Sequence, residues 1–177
     1  HFQQQELAKM IAISSSTVND SLTQLRRMGE VAVHGRGFDV VDYEKILYHW
    51  ANVRNVNPDL RLALAIGLPI LEIEGLLPQG TIPTAYTAMR ERFGEPPADY
   101  DKIYVYSNNP DQIRQRFSGE TRRGGPNLFV LEPDAYRVRY GSRVPLGQLF
   151  VDLWNLTDWY AKEFVSALKE HIDGLLS

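Results

Sequence analysis

Six carboxylates are the residues best suited to metal-ion or acid–base chemistry. They are Asp99, Asp101, Asp111, Glu132, Asp134 and Asp152. A nuclease or nucleotidyltransferase needs two or three converging acids that hold metal ions about 3.5–4 Å apart. No recognisable motif accompanies these six, and the glycines near Asp99 lack the spacing of a phosphate-binding loop. The sequence therefore favours a protein without enzymatic activity.

Ligands for a metal ion are also few. The chain contains no Cys, which excludes disulfides, thiol catalysis and cysteine-based zinc or iron–sulfur sites. Its four histidines are scattered at positions 1, 34, 49 and 171. We therefore expect no metal site and no cofactor.

A different chemistry is indicated near the N-terminus, where small polar residues open a predicted helix. Val18, Leu22, Leu25 and Met28 follow one another at helical spacing, which places them on one apolar face. Hydroxyl and amide side chains on the outward side, together with the free amides of the first turn, can contact phosphates and base edges. The candidate base contacts are Ser15, Ser16, Thr17 and Asn19.

Basic residues after this turn supply candidate phosphate contacts. They are Arg26, Arg27, His34 and Arg36. Arg36 stands between two glycines at the tip of a predicted hairpin, where an arginine could enter a narrow minor groove. Asp20 stands on the outward face and no Lys or Arg precedes Arg26 in the helix, so bidentate guanine readout from the first turn is not expected. We expect one copy to bind weakly, and therefore either a homodimer or cooperative binding to repeats.

Periodicity and turn signals predict the elements that position these residues. They indicate a helix over 4–11, a second helix capped by Ser14 and ended by Gly29, strands over 30–34 and 38–42, and a helix over 43–56. With the motifs Gln5–Ala8, Ile13–Val18 and Leu25–Gly29, this order resembles prokaryotic winged helix-turn-helix regulators. The resemblance implies that the second helix enters the major groove and that the hairpin is the wing. The usual first helix of that core is expected upstream.

The second half of the chain has a different pattern. Pro58, within the break at 55–59, predicts a boundary between a domain over 1–56 and one over 57–177. Beyond an apolar stretch from Leu60 to Pro83, the pattern predicts a helix over 84–93, a strand over 102–107, a helix beginning at Pro110, strands over 128–131 and 136–140, and two C-terminal helices. The expected fold class is α+β, a winged helix-turn-helix followed by a small mixed α/β domain.

Three segments carry a second resemblance. Ala98–Tyr106, Asn127–Pro133 and Pro145–Leu156, followed by a last helix, resemble the C-terminal part of AbiEi-like proteins, the antitoxins of type IV toxin–antitoxin systems. The resemblance implies a repressor of its own operon that counteracts a nucleotidyltransferase toxin and is not itself an enzyme. A solitary regulator that kept the architecture fits the same pattern.

Two further sets of residues are candidates for partner binding. A basic stretch beside Gly124 and Gly125 could contact DNA or an acidic partner, and large aromatic residues near helix ends are common at interfaces. The candidates are Arg114, Arg116, Arg122, Arg123, Trp154, Trp159 and Tyr160.

The sequence as a whole predicts a cytoplasmic transcriptional regulator that binds an operator with repeats in double-stranded DNA. The net charge of −3 gives no global attraction to DNA, so binding must rest on a local surface. No apolar run approaches the roughly 18–20 residues that span a bilayer. Two alternatives stay open: an enzyme acting on nucleic acid or nucleotides that uses the winged helix for targeting, and a regulator that senses a small molecule.

Overall fold

A computed structural model describes residues 1–35, 37–134 and 141–176. Within these ranges the chain is a mixed α+β protein with eight helices and two sheets. It divides into two compact units, His1–Val53 and Arg54–Ser177, so the division falls slightly before the predicted boundary. The predicted strand at 136–140 and the candidate contact Arg36 lie outside the described residues.

The N-terminal unit is built from three strands and three helices. In chain order they are β1 (Phe2–Gln3), α1 (Gln4–Ile11), α2 (Ser15–Arg27), β2 (Val31–His34), β3 (Gly37–Val40) and α3 (Tyr43–Val53). The strands form an antiparallel sheet in the order β1-β3-β2. The first strand was not predicted, because two residues are too few to show an alternating pattern.

Local signals in the sequence determine where α2 begins and ends. The Ser14 hydroxyl accepts a hydrogen bond from the Thr17 amide at 3.0 Å, which satisfies one free donor of the first turn. Ala12 takes a left-handed conformation between α1 and α2, and Gly29 takes one after α2. The inward face of α2 is buried in a core made by Ala8, Val18, Leu22, Val31 and Phe38. This packing fixes which side of α2 is exposed.

The C-terminal unit begins with a short 3-10 helix, Asn57–Asp59, and contains four strands and five α-helices. They are β4 (Leu60–Leu64), α4 (Ile70–Gly75), β5 (Ile82–Thr84), α5 (Ala85–Phe93), β6 (Ile103–Tyr106), α6 (Pro110–Arg116), β7 (Leu128–Leu131), α7 (Leu146–Trp154) and α8 (Ala161–Leu176). The strand order is β4-β7-β6-β5, with β6 and β7 parallel and the other pairs antiparallel. The sequence did not predict β4, α4 or β5, which are short.

The two faces of this second sheet are used differently. One face carries an apolar core, which includes Leu62, Ile103, Val105, Leu128 and Val130. On the other face, tyrosine side chains of β6 reach carboxylates that follow or belong to α7. Helices α7 and α8 bury apolar side chains, among them Leu149, Phe150, Leu153, Phe164 and Leu168. No helix of the described ranges combines the length and apolar character needed to cross a membrane.

Candidate nucleic-acid interface

The outward side of α2 is polar and accessible. Ser15, Ser16, Thr17 and Asn19 are all exposed, whereas Val18 and Leu22 on the opposite side are 3% and 4% exposed. The sequence therefore predicted correctly which side of this helix is accessible. That side can approach a flat or grooved partner without any change in the core.

Hydrogen bonds within the helix distinguish the polar residues of this face. The Ser14 hydroxyl lies 2.8 Å from the hydroxyls of both Ser16 and Thr17. Within the described parts of the chain, the side-chain amide of Asn19 has no such partner. An asparagine amide can pair with both N6 and N7 of adenine in the major groove. Asn19 is therefore the strongest candidate for a base contact.

The last turn of α2 carries the positive charge of this face. Arg26 and Arg27 are exposed, and neither guanidinium forms an ion pair with any described residue. Arg26 follows Asn19 by seven residues, which is two helical turns, so the two side chains share a face. The same helix therefore presents an amide for base contact and a guanidinium for phosphate contact on one side.

The hairpin has a carboxylate that the sequence analysis did not take into account. The Nε2 atom of His34 lies 3.7 Å from Oδ2 of Asp39, and Nδ1 of His1 lies 3.0 Å from Oδ1 of the same residue. The Asp39 charge opposes binding of a phosphate at His34 unless an imidazole is protonated. His34 is thus a weaker candidate than Arg26 or Arg27.

The basic stretch in the C-terminal unit is largely engaged within the protein. Nε of Arg114 lies 3.7 Å from Asp111, the Arg116 guanidinium lies 5.8 Å from the ring centroid of Phe117, and Nε of Arg122 donates to the Ile66 carbonyl at 3.0 Å. All four arginines of the stretch are exposed, and Arg123 has no partner in the described residues.

The three aromatic candidates differ in exposure. Trp154 is 41% and Trp159 is 80% exposed, so both rings can contact another molecule. Tyr160 is only 3% exposed, and its hydroxyl donates to Oδ1 of Asp101 at 2.6 Å. Tyr160 is therefore a core residue, and its assignment to a partner surface does not fit the structure.

The candidate catalytic carboxylates occupy separate surroundings. Asp152 is buried and accepts hydrogen bonds from Thr84, Tyr106 and Gln148 at 2.6–2.9 Å. Glu132 is exposed and pairs with Arg61, and Asp111 is exposed beside Arg114. Among residues 1–35, 37–134 and 141–176, no three His, Cys, Asp or Glu side chains are placed to hold a metal ion.

Two polar clusters of the C-terminal unit were missed by sequence reasoning. Asp158 accepts hydrogen bonds from Tyr86 at 2.9 Å and Tyr104 at 3.2 Å, and it pairs with Lys102. Burial, reinforced by the Asp158 carboxylate, raises the pKa of both tyrosines. The partners are far apart in the sequence, so no local motif could have indicated them.

Glu74 is the centre of the other cluster. It accepts hydrogen bonds from Thr87 and Tyr100 at 2.7 Å and pairs with Arg90. Burial, followed by the Glu74 carboxylate, raises the pKa of Tyr100. Both carboxylate oxygens of Glu74 have partners, as is usual for a buried polar group. The cluster therefore joins α4 to α5 and to the segment before β6.

Comparison of the chain with models of protein families, with curated proteins and with solved structures found no match in any of the three.

Proposed function

We propose that this chain is a sequence-specific DNA-binding transcriptional regulator. In this proposal the N-terminal unit is a winged helix-turn-helix, α2 enters the major groove, and the β2–β3 hairpin is the wing. The observation that carries it is the exposed face of α2, where Asn19, Arg26 and Arg27 have side chains without partners in the described chain.

Two features of the N-terminal unit support the proposal. Val18 and Leu22 fix the rotation of α2 about its axis, so its polar face is held outward without cost on binding. The pairing of β1 with β3 also joins the hairpin to the start of α1, which gives the proposed wing a fixed base.

The C-terminal unit, in this proposal, is the regulatory or partner-binding domain of an AbiEi-like antitoxin. The three segments that carry the resemblance contain β6, β7 and α7, which form much of the core of that unit. The partner would be a nucleotidyltransferase-like toxin. If the neighbouring gene encodes such a protein, co-expression of this chain should relieve the growth arrest it causes, and an arrest that persists would contradict the antitoxin role.

DNA recognition is tested by the affinity of the full chain for its own upstream DNA and for a scrambled duplex. Asn19→Ala should reduce the preference for upstream DNA, because a base contact is lost while phosphate contacts remain. A combined Arg26→Ala, Arg27→Ala variant should weaken binding to both duplexes. Arg61→Ala, which alters an exposed arginine of the other unit, is the control. Equal affinity of wild-type protein for both duplexes would contradict sequence-specific recognition.

A further inference from the structure

Helix α8 buries one face and leaves the opposite face accessible. Phe164, Val165, Leu168 and Ile172 belong to its buried side. Along the other side, four residues at a spacing of four are all exposed: Lys162, Ser166, Glu170 and Gly174. We call this row of four exposed residues the ridge. A shallow depression lies beside it and is lined by Lys162, Glu163, Ser166, Ala167 and Glu170. Ser166 near the middle of the ridge and Gly174 at its end are small, so the backbone of another helix can approach closely at both positions.

The charges along this ridge are arranged with opposite sign on the two sides of Ser166. Lys162 stands four residues before Ser166, and Glu170 stands four residues after it. Lys162 and Glu170 form no ion pair with described residues. They are separated by about 12 Å along the helix axis, so they are not placed to pair with each other.

We propose that this face of α8 binds a second copy of the same chain, packed antiparallel across a two-fold axis at Ser166. In that arrangement Lys162 meets Glu170 of the second copy, and the reverse contact forms at the same time. The serine at the crossing point allows the two helices to approach within the 8–10 Å usual for packed helices.

The two ends of α8 provide apolar surface for the same contact. Trp159, just before the helix, is 80% exposed, and Leu176 at its other end is 62% exposed. Antiparallel packing brings the first end of one helix to the last end of the other, so Trp159 lies beside Gly174 of the second copy. Burial of these groups favours association, and the charged pairs fix the register.

Self-complementarity is the reason for preferring a second copy to an unrelated partner. A two-fold contact requires each charge to meet its opposite after the exchange of the two chains, and the residues around Ser166 satisfy this condition. Binding to an unrelated protein would not require charges of opposite sign at equal distances on the two sides of Ser166. The inference does not depend on DNA binding, and its test contains no DNA.

The test is sedimentation equilibrium of the full chain over a range of concentrations. Wild-type protein should form a reversible dimer. Lys162→Glu and Glu170→Lys alone should each weaken dimerisation about tenfold, because every substitution places like charges together twice in one dimer. The double variant with both changes should regain the wild-type dissociation constant to within about threefold. Glu72→Lys, an exposed reversal on α4, is the control and should have no effect.

A further variant separates association from folding. Gly174 has no atom within 4 Å of an added Cβ, so Gly174→Gln is accommodated in the single chain and also improves helix propensity. It should still weaken the dimer, because its side chain occupies the space assigned to Trp159 of the second copy. A chain that stays monomeric, a dimer unaffected by the single reversals, or a double variant weaker than both single variants would overturn the proposal.

Discussion

Two buried carboxylates, Glu30 in the N-terminal unit and Asp152 in the C-terminal unit, differ in what surrounds them. Glu30 has no exposed surface, and neither of its side-chain oxygens has a hydrogen-bond partner among the described residues. Asp152 is 2% exposed and accepts hydrogen bonds from three side chains. Removal of these two carboxylates should therefore change stability in opposite directions.

Glu30→Met should stabilise the N-terminal unit. The substitution keeps a side chain of similar length and removes a buried group without partners, so we expect the free energy of unfolding to rise by about 1–3 kcal/mol. Hydrogen exchange of the β2 and β3 amides, with chemical denaturation, measures the change. Glu6→Met on the exposed side of α1 is the control. A loss of protection in Glu30→Met would contradict this assessment of the carboxylate.

Asp152→Leu should destabilise the C-terminal unit. It leaves the donors of Thr84, Tyr106 and Gln148 buried without their acceptor, so we expect the free energy of unfolding to fall by about 3–5 kcal/mol. Asp99→Leu, at an exposed position in a loop, should change it by less than about 0.5 kcal/mol. Chemical denaturation measures both. Equal effects of the two variants would show that the Asp152 hydrogen bonds contribute little.

At the scale of elements, one residue on each side of α2, the proposed recognition helix, has a left-handed backbone conformation. Ala12 has φ 47° before α2, and Gly29 has φ 74° after it. Left-handed backbone costs an alanine roughly 1–2 kcal/mol and costs a glycine little. Since both positions are exposed, backbone preference should dominate the effect of exchanging the two residue types.

Ala12→Gly should raise the free energy of unfolding by about 0.5–1 kcal/mol, because relief of strain exceeds the added entropy of the unfolded chain. Gly29→Ala should lower it by about 1 kcal/mol through backbone strain alone, since an added Cβ meets nothing within 4 Å. Chemical denaturation of both variants checks the pair. A destabilised Ala12→Gly protein would indicate that the Ala12 side chain stabilises the turn.

The elements that the sequence predicted well are those whose pattern is local. Ser14 and Gly29 mark the ends of α2, and the spacing of Val18 and Leu22 shows its buried side. By contrast, β4, α4 and β5 have at most six residues each, which is too few for periodicity to distinguish strand from helix. The two short strands, β4 and β5, are defined by their neighbours in the sheet, and those neighbours are distant in sequence.

The candidate interface on α2 could be predicted from the sequence and the polar clusters of the C-terminal unit could not, for the same reason. The face of α2 could be predicted because its residues follow one another along a single helix. Gln148 lies four positions from Asp152 on the same helix, but Thr84 and Tyr106 lie 68 and 46 positions away, and only the fold brings these two to Asp152. The Asp39 carboxylate beside His34 was missed because it lies across the hairpin.

At the scale of the whole molecule, buried tyrosines link stability to alkaline pH. Burial, with neighbouring carboxylates, raises the pKa of Tyr86, Tyr100, Tyr104 and Tyr160. A tyrosine whose pKa is higher in the folded than in the unfolded state contributes stability below the unfolded value of about 10, and this contribution is lost as pH rises above that value. Stability should therefore fall by up to about 1.4 kcal/mol per pH unit for each such tyrosine.

Titration by tyrosinate absorbance, with circular dichroism in parallel, checks this expectation. Of the nine tyrosines, at least these four should ionise only as the protein unfolds. Tyr104→Phe should reduce the number that ionise with unfolding by one. Ionisation of all nine in a gradual curve near pH 10, with secondary structure retained, would contradict the buried network.

The most direct test of the central claim, that the exposed side of α2 lies against DNA, is the salt dependence of duplex binding. The logarithm of the association constant should fall linearly with the logarithm of salt concentration, with a slope of about −0.9 for each phosphate contact. Replacing Arg26 and Arg27 together by alanine should make that slope shallower by about 1.8, while Arg61→Ala leaves it unchanged. An unchanged slope in the double variant, or a wild-type chain that does not bind DNA at low ionic strength, would contradict the account.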